Sequence, residues 1–243
     1  MTFSPGKPIH RALAIETSRQ TGSVALVEDS AVLVEEAFTH GLKHAVGMLP
    51  LIDRLMRNYG WKPNDLQHLY VSQGPGSFTG LRIGITLAKT IAMVTGARII
   101  PVPTLHVLAM NAPVEATHLI VVLDAKRNQI FTARYERQDQ KWIEREQAHL
   151  DSLPEIVGRT PRPVHLIGEG IPFHEKFLPA DRSGIVFTSE IDWRARASVV
   201  AQLGMELAGQ NVFADADRFT PTYVRKPEAE EKYDDLHKIQ NPT

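Results

Sequence analysis

The sequence predicts an α/β protein of two related lobes, each with a mixed sheet flanked by helices. Strand-like and helix-like segments alternate over residues 67–111, an order that favours parallel pairing. The series strand, acidic residue, polar turn, strand occurs at LAIETSRQTGSVAL and again at LIVVLDAKRNQIFTA, with Glu16 and Asp124 in matching places. We therefore expect an N-terminal lobe, a C-terminal lobe and a charged tail, at residues 1–112, 113–225 and 226–243.

The N-terminal lobe begins with three predicted strands, at residues 12–16, 23–27 and 32–38. Apolar residues at helical spacing then predict an amphipathic helix over 44–59, with Pro50 near its first turn or at a kink. The rest of this lobe is predicted as a strand, a helix, a strand and a short helix, at 67–72, 81–95, 98–101 and 104–111.

The C-terminal lobe opens with a buried strand from His118, followed by two more strands at QIFTARYER and KWIEREQ. A turn at 151–154, a strand at PVHLIGEG, a mixed segment and a helix over 198–208 complete it. The tail from Lys226 has too little apolar content to pack alone.

Composition excludes several classes of protein. A formal net charge of -1 provides no overall positive field for nucleic acid or an anionic membrane. The absence of cysteine excludes disulfides and thiolate metal sites, and it fits a reducing compartment. No apolar run approaches the roughly 20 residues of a membrane-spanning helix. We therefore expect a cytoplasmic protein with no membrane partner.

A glycine-rich loop, GPGSFTGLRIG, leads into the helix predicted over 81–95. It fits neither GxxxxGK[ST] nor GxGxxG, so it is not a typical phosphate loop. Small residues instead recur every four positions, which places them along one stripe of the helix: Gly80, Gly84, Ala88, Ala92 and Gly96. Such a groove receives either an element of the same lobe or a helix of another chain, and the packing rule allows both.

Two polar turns follow buried strands, where two-lobed enzymes often bind nucleotide. They contain Glu16, Thr17 and Ser18 in one case and Asp124 in the other. The same residue types also begin turns by bonding to nearby backbone. Because no lysine follows either acidic residue in a phosphate-binding pattern, the turn is the favoured interpretation.

Catalytic and metal-binding patterns are weak. His40 and His44 have the spacing of a helical zinc pair, but Gly41 stands where a metalloprotease needs glutamate, which favours a capping or surface role. Ser18 and Ser77 have no histidine and aspartate that the sequence ties into a triad. We expect no catalytic residue, no metal ligand and no cofactor bound by this chain.

Five segments resemble, in order and spacing, the bacterial TsaB (YeaZ) family: AIETSRQTGSVALVE, KHAVGMLPLIDRLM, GPGSFTGLRIGITLAKTIA, VLDAKRNQIFTA and PTYVRKPEAEE. The resemblance implies the actin-like ATPase (RNase H-like, ASKHA) fold. It also implies a role in making threonylcarbamoyladenosine (t6A) in tRNAs that read codons beginning with A. Family members usually have aspartate at the position of Glu16, which weakens a nucleotide site there.

The resemblance further implies an accessory subunit rather than an enzyme. The related catalytic subunit TsaD has a metal motif at the segment that reads VPTLHVLA here, and Thr104 and Leu108 replace its two histidines. The implied partners are a TsaD-like subunit, a TsaE-like ATPase joined through the complex, a second copy of the chain, and tRNA indirectly. ATP is used by the complex.

The resemblance implies that the helices at 44–59 and 79–95 form a bundle with the same helices of TsaD or of a second copy. The expected contact residues are Met48, Leu49, Ile52, Leu55, Met56, Phe78, Gly80, Gly84, Leu87, Ala88, Ile91 and Ala92. The alternative function is a nucleotide-binding ATPase or phosphotransferase with its site between the lobes. A metallopeptidase, suggested by older naming of these relatives, lacks the required motif.

Overall fold

The computed structural model describes residues 10–39 and 44–225, which form two compact units. The first unit contains the described residues up to Asn111 together with Ser189–Pro221, and the second contains Ala112–Thr188 and the described residues from Thr222. The break after Asn111 lies one residue from the predicted lobe boundary. Residues 189–221, which the sequence places in the second lobe, belong instead to the first unit. The predicted tail at 226–243 lies outside the described residues.

The first unit is built on a mixed five-stranded sheet in the order β3-β2-β1-β4-β5. The central β1 pairs antiparallel with β2 and parallel with β4, while β3 is antiparallel to β2 and β5 is parallel to β4. The strands are β1 (Arg11–Glu16), β2 (Thr21–Glu28), β3 (Ala31–Thr39), β4 (His68–Gly74) and β5 (Arg98–Pro103). All five predicted strands are therefore present.

Helices cover both faces of this sheet, and a 3-10 turn at Pro63–Asp65 precedes β4. Leu69 and Val71 join the apolar cluster that contains α1 and α2, whereas the intervening Tyr70 lies against Gly204 of α6. Because side chains alternate along a strand, the two helix layers lie on opposite faces. The helices of this unit are α1 (His44–Asn58, with Pro50 inside it), α2 (Phe78–Thr95), α3 (Thr104–Ala109) and, from the end of the chain, α6 (Ala197–Gly209).

The second unit repeats the topology of the first. Its sheet order is β10-β9-β6-β7-β8, with β6 antiparallel to β7 and parallel to β9, β8 antiparallel to β7, and β10 parallel to β9. Its strands are β6 (His118–Asp124), β7 (Ile130–Gln138), β8 (Lys141–Asp151), β9 (Val164–Ile167) and β10 (Ile185–Phe187). Each sheet thus starts at its centre, adds two antiparallel strands on one side and two parallel strands on the other, which confirms the two-lobed fold.

The sequence did not predict two short helices of the second unit. One lies where a turn was expected, and the other lies in the segment predicted as mixed. The predicted turn at 151–154 is the start of α4 (Leu153–Gly158), where the Ser152 hydroxyl accepts from the Glu155 amide at 3.4 Å as an N-cap. The mixed segment contains α5 (Ile171–His174) and a 3-10 turn at Glu175–Phe177. Both helices are only a turn or two long, so apolar periodicity alone could not reveal them.

Helix α6 belongs to the first unit because its buried face packs on β1, β2, β4 and β5. Gly204 permits this packing, since a Cβ atom there would lie 2.4 Å from Cγ and Cδ1 of the buried Tyr70 ring. We expect Gly204→Ala to lower the free energy of unfolding by about 2 kcal/mol or more through overpacking, in denaturant titration.

Gly209→Ala, at the end of the same helix, is the matched control because its Cβ would meet nothing within 4 Å. An equal free energy of unfolding for Gly204→Ala and Gly209→Ala would contradict the packing of α6 on Tyr70.

Helix α2 has the length and mean hydropathy, 1.2, that a membrane-crossing helix would need. The same properties suit the core helix of a mixed α/β unit. In this chain α2 lies on β1, β4 and β5, with the side chains of Ile85 and Ala88 buried in the apolar cluster. The structure therefore assigns α2 to a helix layer of the first unit.

Candidate functional site

The glycine-rich loop fixes where α2 begins. The Ser77 hydroxyl caps the helix by accepting from the Gly80 amide at 3.2 Å, and the Ser77 amide donates to the Ser18 carbonyl at 2.7 Å. At the other end, Gly96 has a φ of 76° and its amide donates to the Ala92 carbonyl. The loop thus joins the start of α2 to the turn that follows β1.

The small-residue stripe of α2 packs inside the first unit. A Cβ atom on Gly80 would lie 2.1 Å from the Thr17 carbonyl oxygen, and one on Gly84 would lie 2.3 Å from the Thr17 hydroxyl. Ala88 and Ala92 are buried in the apolar cluster of the same unit. The stripe therefore serves close approach of α2 to the β1–β2 turn, and it does not form the outward groove that the family resemblance implied.

The other expected contact residues divide into three groups by burial. The α1 side chains that point into the same cluster are buried: Met48, Ile52, Leu55 and Met56. Leu87 and Ile91 are partly buried against that cluster. Only Leu49 and Phe78 are exposed, at 52% and 39%. Most of the expected set thus holds the unit together in this structure.

Two exposed apolar residues of α2 escaped the sequence reasoning. Met93 and Val94 are 81% and 69% exposed near the end of the helix. Met93 is nine residues after Gly84, which at 100° per residue places it on the opposite side of the helix from the stripe. The signal was present in the sequence, because a buried stripe implies that the residues opposite it are exposed.

Glu16, Thr17 and Ser18 form a buried, internally bonded turn. The Glu16 carboxylate accepts from the Ser18 amide at 2.6 Å and from the Ser18 hydroxyl at 2.5 Å. The Thr17 amide donates to the Ser72 hydroxyl at 3.3 Å. Burial raises the pKa of Glu16, while hydrogen bonds from Ser18 and Ser72 act in the opposite direction. The Ser18 amide and hydroxyl, two donors that could serve a phosphate, are thus already bound to the Glu16 carboxylate.

Asp124, in the second unit, holds the turn after β6. It accepts from the Lys126 amide at 3.0 Å, pairs with the Lys126 ammonium at 2.6 Å, and lies 3.0 Å from Nε2 of the buried His174. Burial by itself would raise the pKa of Asp124, but the hydrogen bonds from Lys126 and His174 outweigh it and lower the pKa to about 2. This geometry suits a turn that is closed by an ion pair.

The Asp124 contacts make stability depend on pH. A folded-state pKa of about 2, below the ordinary value of about 3.9, stabilises the fold above pH 4, and this stability is lost as the pH falls towards 2. We expect Asp124→Asn to lower the free energy of unfolding by about 2 kcal/mol at pH 7, in denaturant titrations at a series of pH values, with convergence on the wild type only below about pH 2.

Asp139→Asn, at an exposed turn of the same unit, serves as the control and should keep the wild-type pH dependence. If the free energy of unfolding of Asp124→Asn depended on pH as in the wild type, the Lys126 and His174 contacts would contribute nothing to stability.

The segment VPTLHVLA, where the resemblance implies the metal motif of TsaD, contains α3. The Thr104 hydroxyl accepts from the Gly74 amide at 3.1 Å, and Thr104 and Leu108 are both fully buried. The Thr104 hydroxyl is already used in a structural hydrogen bond, and the Leu108 side chain has no donor atom for a metal. These two side chains therefore cannot bind a metal ion as two histidine imidazoles would. Within the described residues, no group of three or more histidine or acidic side chains has metal-binding geometry. His40 and the side chain of His44 lie outside the described residues.

Sequence comparison with known proteins identifies the family of this chain. Residues 40–233 match the family model of TsaD, tRNA N6-adenosine threonylcarbamoyltransferase. The chain is 30% identical over 226 residues to the tRNA threonylcarbamoyladenosine biosynthesis protein TsaB of Bacillus subtilis, covering 91% of this chain and 96% of that protein. It is 32% identical over 149 residues to TsaB of Escherichia coli, covering 60% of this chain and 64% of that protein.

Among solved structures, YeaZ from Pseudomonas aeruginosa has the same fold, with a TM-score of 0.73 and 22% identity over 88% of this chain and 99% of that chain. The family model spans most of the chain, and the Bacillus relative aligns over almost its whole length. The chain therefore belongs to the TsaB family, within the wider TsaD family whose model it matches.

Proposed function

We propose that this chain is a non-catalytic scaffold subunit in the synthesis of threonylcarbamoyladenosine on tRNA. It binds a TsaD-like catalytic subunit and holds it in an active arrangement, and it pairs with a second copy when that partner is absent. A TsaE-like ATPase joins through the complex, which uses ATP in the cytoplasm. The family membership carries the proposal, together with the buried Thr104 and Leu108 at the two positions where the resemblance to TsaD implies metal-binding histidines.

The exposed apolar residues of α1 and α2 support a protein partner. Leu49, Phe78, Met93 and Val94 are each more than a third exposed, and all four lie on this helix pair. Exposed large apolar side chains offer contact area to a protein partner. Phe78 lies in the first turn of α2, and Met93 and Val94 lie in its last turn, about 22 Å away. We define these four residues as the helix-pair surface and propose that it contacts the TsaD-like subunit or the second copy. This assignment replaces the stripe that lies inside the unit.

The polar turn at Glu16 supports an accessory role over an independent ATPase. The Ser18 amide and hydroxyl of this turn are bound by Glu16, so a nucleotide phosphate would have to displace a buried carboxylate from them. Calorimetric titration of the chain with Mg-ATP should therefore release no binding heat. Saturable binding by the chain alone, lost in Glu16→Ala, would favour the phosphotransferase alternative.

Reconstitution tests the scaffold function directly. Purified TsaC-type, TsaD-like and TsaE-like proteins from the same organism are incubated with threonine, bicarbonate, ATP and unmodified tRNA, and the modified nucleoside is measured by mass spectrometry. We expect modification only when this chain is added, and none from this chain when the TsaD-like protein is omitted. Equal modification without the chain would refute the scaffold role, and modification without TsaD would show that the chain is catalytic.

A further inference from the structure

Three phenylalanine side chains of the second unit are exposed, and each lies beside a cation. Phe173, Phe177 and Phe187 are 60%, 40% and 36% exposed. Lys126 Nζ lies 5.7 Å from the ring centroid of Phe173, Lys176 Nζ lies 5.0 Å from that of Phe177, and Arg182 Cζ lies 5.9 Å from that of Phe187. We call these six side chains the aromatic-cation surface.

The members of this surface are connected through Asp124, His174 and Glu175: Lys126 pairs with Asp124, which also contacts His174. His174 lies between Phe173 and Phe177 along the chain, and its ring centroid is 6.2 Å from that of Phe177. Arg182, which lies over Phe187, donates to the Glu175 carbonyl at 3.1 Å and so connects β10 to the 3-10 turn that carries Phe177. The three rings therefore belong to one region of the second unit.

We propose that the aromatic-cation surface binds single-stranded segments of RNA. Exposed rings stack on bases without regard to sequence, and lysine or arginine beside them binds the phosphates. Lysine is depleted at protein–protein interfaces, so the lysines paired with Phe173 and Phe177 favour RNA over a protein partner. The inference rests on the proposed function in one respect only, which is that tRNA is the RNA bound in the cell.

Charge sets the expected strength of this binding. Two cations of this surface are already paired, Lys126 with the Asp124 carboxylate at 2.6 Å and Arg182 with the Glu175 carboxylate at 3.8 Å. Phosphate must compete with these carboxylates in a chain of net charge -1, so the binding is weak and depends on salt. The aromatic rings therefore contribute more to affinity than the overall field does.

Fluorescence anisotropy of the full chain tests the proposal without any partner subunit. The probes are a labelled oligouridine of about 12 nucleotides and the labelled anticodon stem-loop of a tRNA that reads codons beginning with A, each titrated between about 50 and 200 mM salt. We expect Phe173→Ala to weaken both complexes about tenfold by loss of one stacking contact. Lys176→Ala should reduce the slope of log affinity against log salt by about 0.7.

The matched controls are Val114→Ala, at an apolar residue that is 80% exposed in the same unit, and Lys141→Ala, at an exposed lysine on β8. Both should bind the probes within about twofold of the wild type, because neither removes a stacking platform of this surface. Circular dichroism checks that each variant is folded, and Phe177→Ala serves as a second stacking variant.

Three outcomes would overturn the proposal: no binding of either probe at the lowest salt, wild-type binding by the phenylalanine variants, or an unchanged salt slope in Lys176→Ala. Loss of pairing with the TsaD-like protein in Phe173→Ala, with RNA binding unchanged, would make the surface a protein interface and also overturn it. None of these results affects the reconstitution assay on the wild-type chain, so failure of this inference is distinguishable from failure of the proposed function.

Discussion

Gly80→Ala is expected to lower the free energy of unfolding by about 3 kcal/mol or more. The new Cβ would lie 2.1 Å from the Thr17 carbonyl oxygen, which belongs to backbone that cannot rotate away. Relief therefore requires α2 to move off the β1–β2 turn, which also opens the apolar cluster beneath it. Denaturant titration of the wild type and the variant measures the loss, with circular dichroism as the signal.

Gly47→Ala is the matched control, because this α1 glycine is exposed and its Cβ would meet nothing within 4 Å. Its stability should be unchanged or higher by up to about 1 kcal/mol, the helix preference of alanine over glycine. If Gly80→Ala were as stable as Gly47→Ala, the small-residue stripe would not be packed on the turn, and an outward groove would again be the better interpretation.

The neighbouring Gly84 offers an internal comparison. Its Cβ would meet the Thr17 hydroxyl at 2.3 Å, a side-chain atom that a mutation can remove. Adding Thr17→Ala should therefore restore part of the stability lost in Gly84→Ala, and it should restore little in Gly80→Ala, where the clash is with backbone. If Thr17→Ala restored equal stability to both variants, the losses would not come from the separate clashes of Gly80 and Gly84 with Thr17.

The second large effect is expected for Met93→Asp combined with Leu49→Asp on the helix-pair surface. Both side chains are more than half exposed, so the substitutions should leave the free energy of unfolding within about 0.5 kcal/mol of the wild type. Placing two carboxylates in an apolar contact should weaken binding to the TsaD-like subunit at least about hundredfold. Biolayer interferometry with the immobilised partner measures the change.

Val114→Asp provides the control for added charge, since Val114 is 80% exposed and belongs to the second unit, whereas the helix pair belongs to the first. It should bind the partner with wild-type affinity. Wild-type affinity in the double variant would remove the helix-pair surface from the proposed interface, whereas loss of binding in both variants would point to a general effect of charge.

Local patterns in the sequence were sufficient to predict the order of the main elements. Buried apolar runs and period-two alternation predicted the strands of both sheets except β10, which lies in the segment predicted as mixed. The repeated acidic turn predicted the duplication that the shared topology confirms. The placement of α6 could not be predicted in this way. Its packing on Tyr70 depends on Gly204, and nothing local to the helix tells which of two similar sheets it covers.

The packing partner of the small-residue stripe on α2 could not be predicted either, because it depends on contacts that are distant in sequence. Spacing showed that Gly80 and Gly84 form a groove, but spacing is the same whether the groove receives a turn of the same unit or another chain. The partner of the groove, Thr17, is more than 60 residues away along the chain, and the contact exists only in the folded unit. The exposed Met93 followed from the same helix geometry, once the buried side was known.

The most direct test of the scaffold role is the mass in solution of this chain, alone and mixed with the TsaD-like protein of its own organism, by light scattering on a sizing column. We expect a dimer of the chain alone that converts to a complex containing one copy of each protein, and no such complex with Met93→Asp and Leu49→Asp combined. A monomer that elutes unchanged in the presence of the TsaD-like protein would contradict the scaffold role.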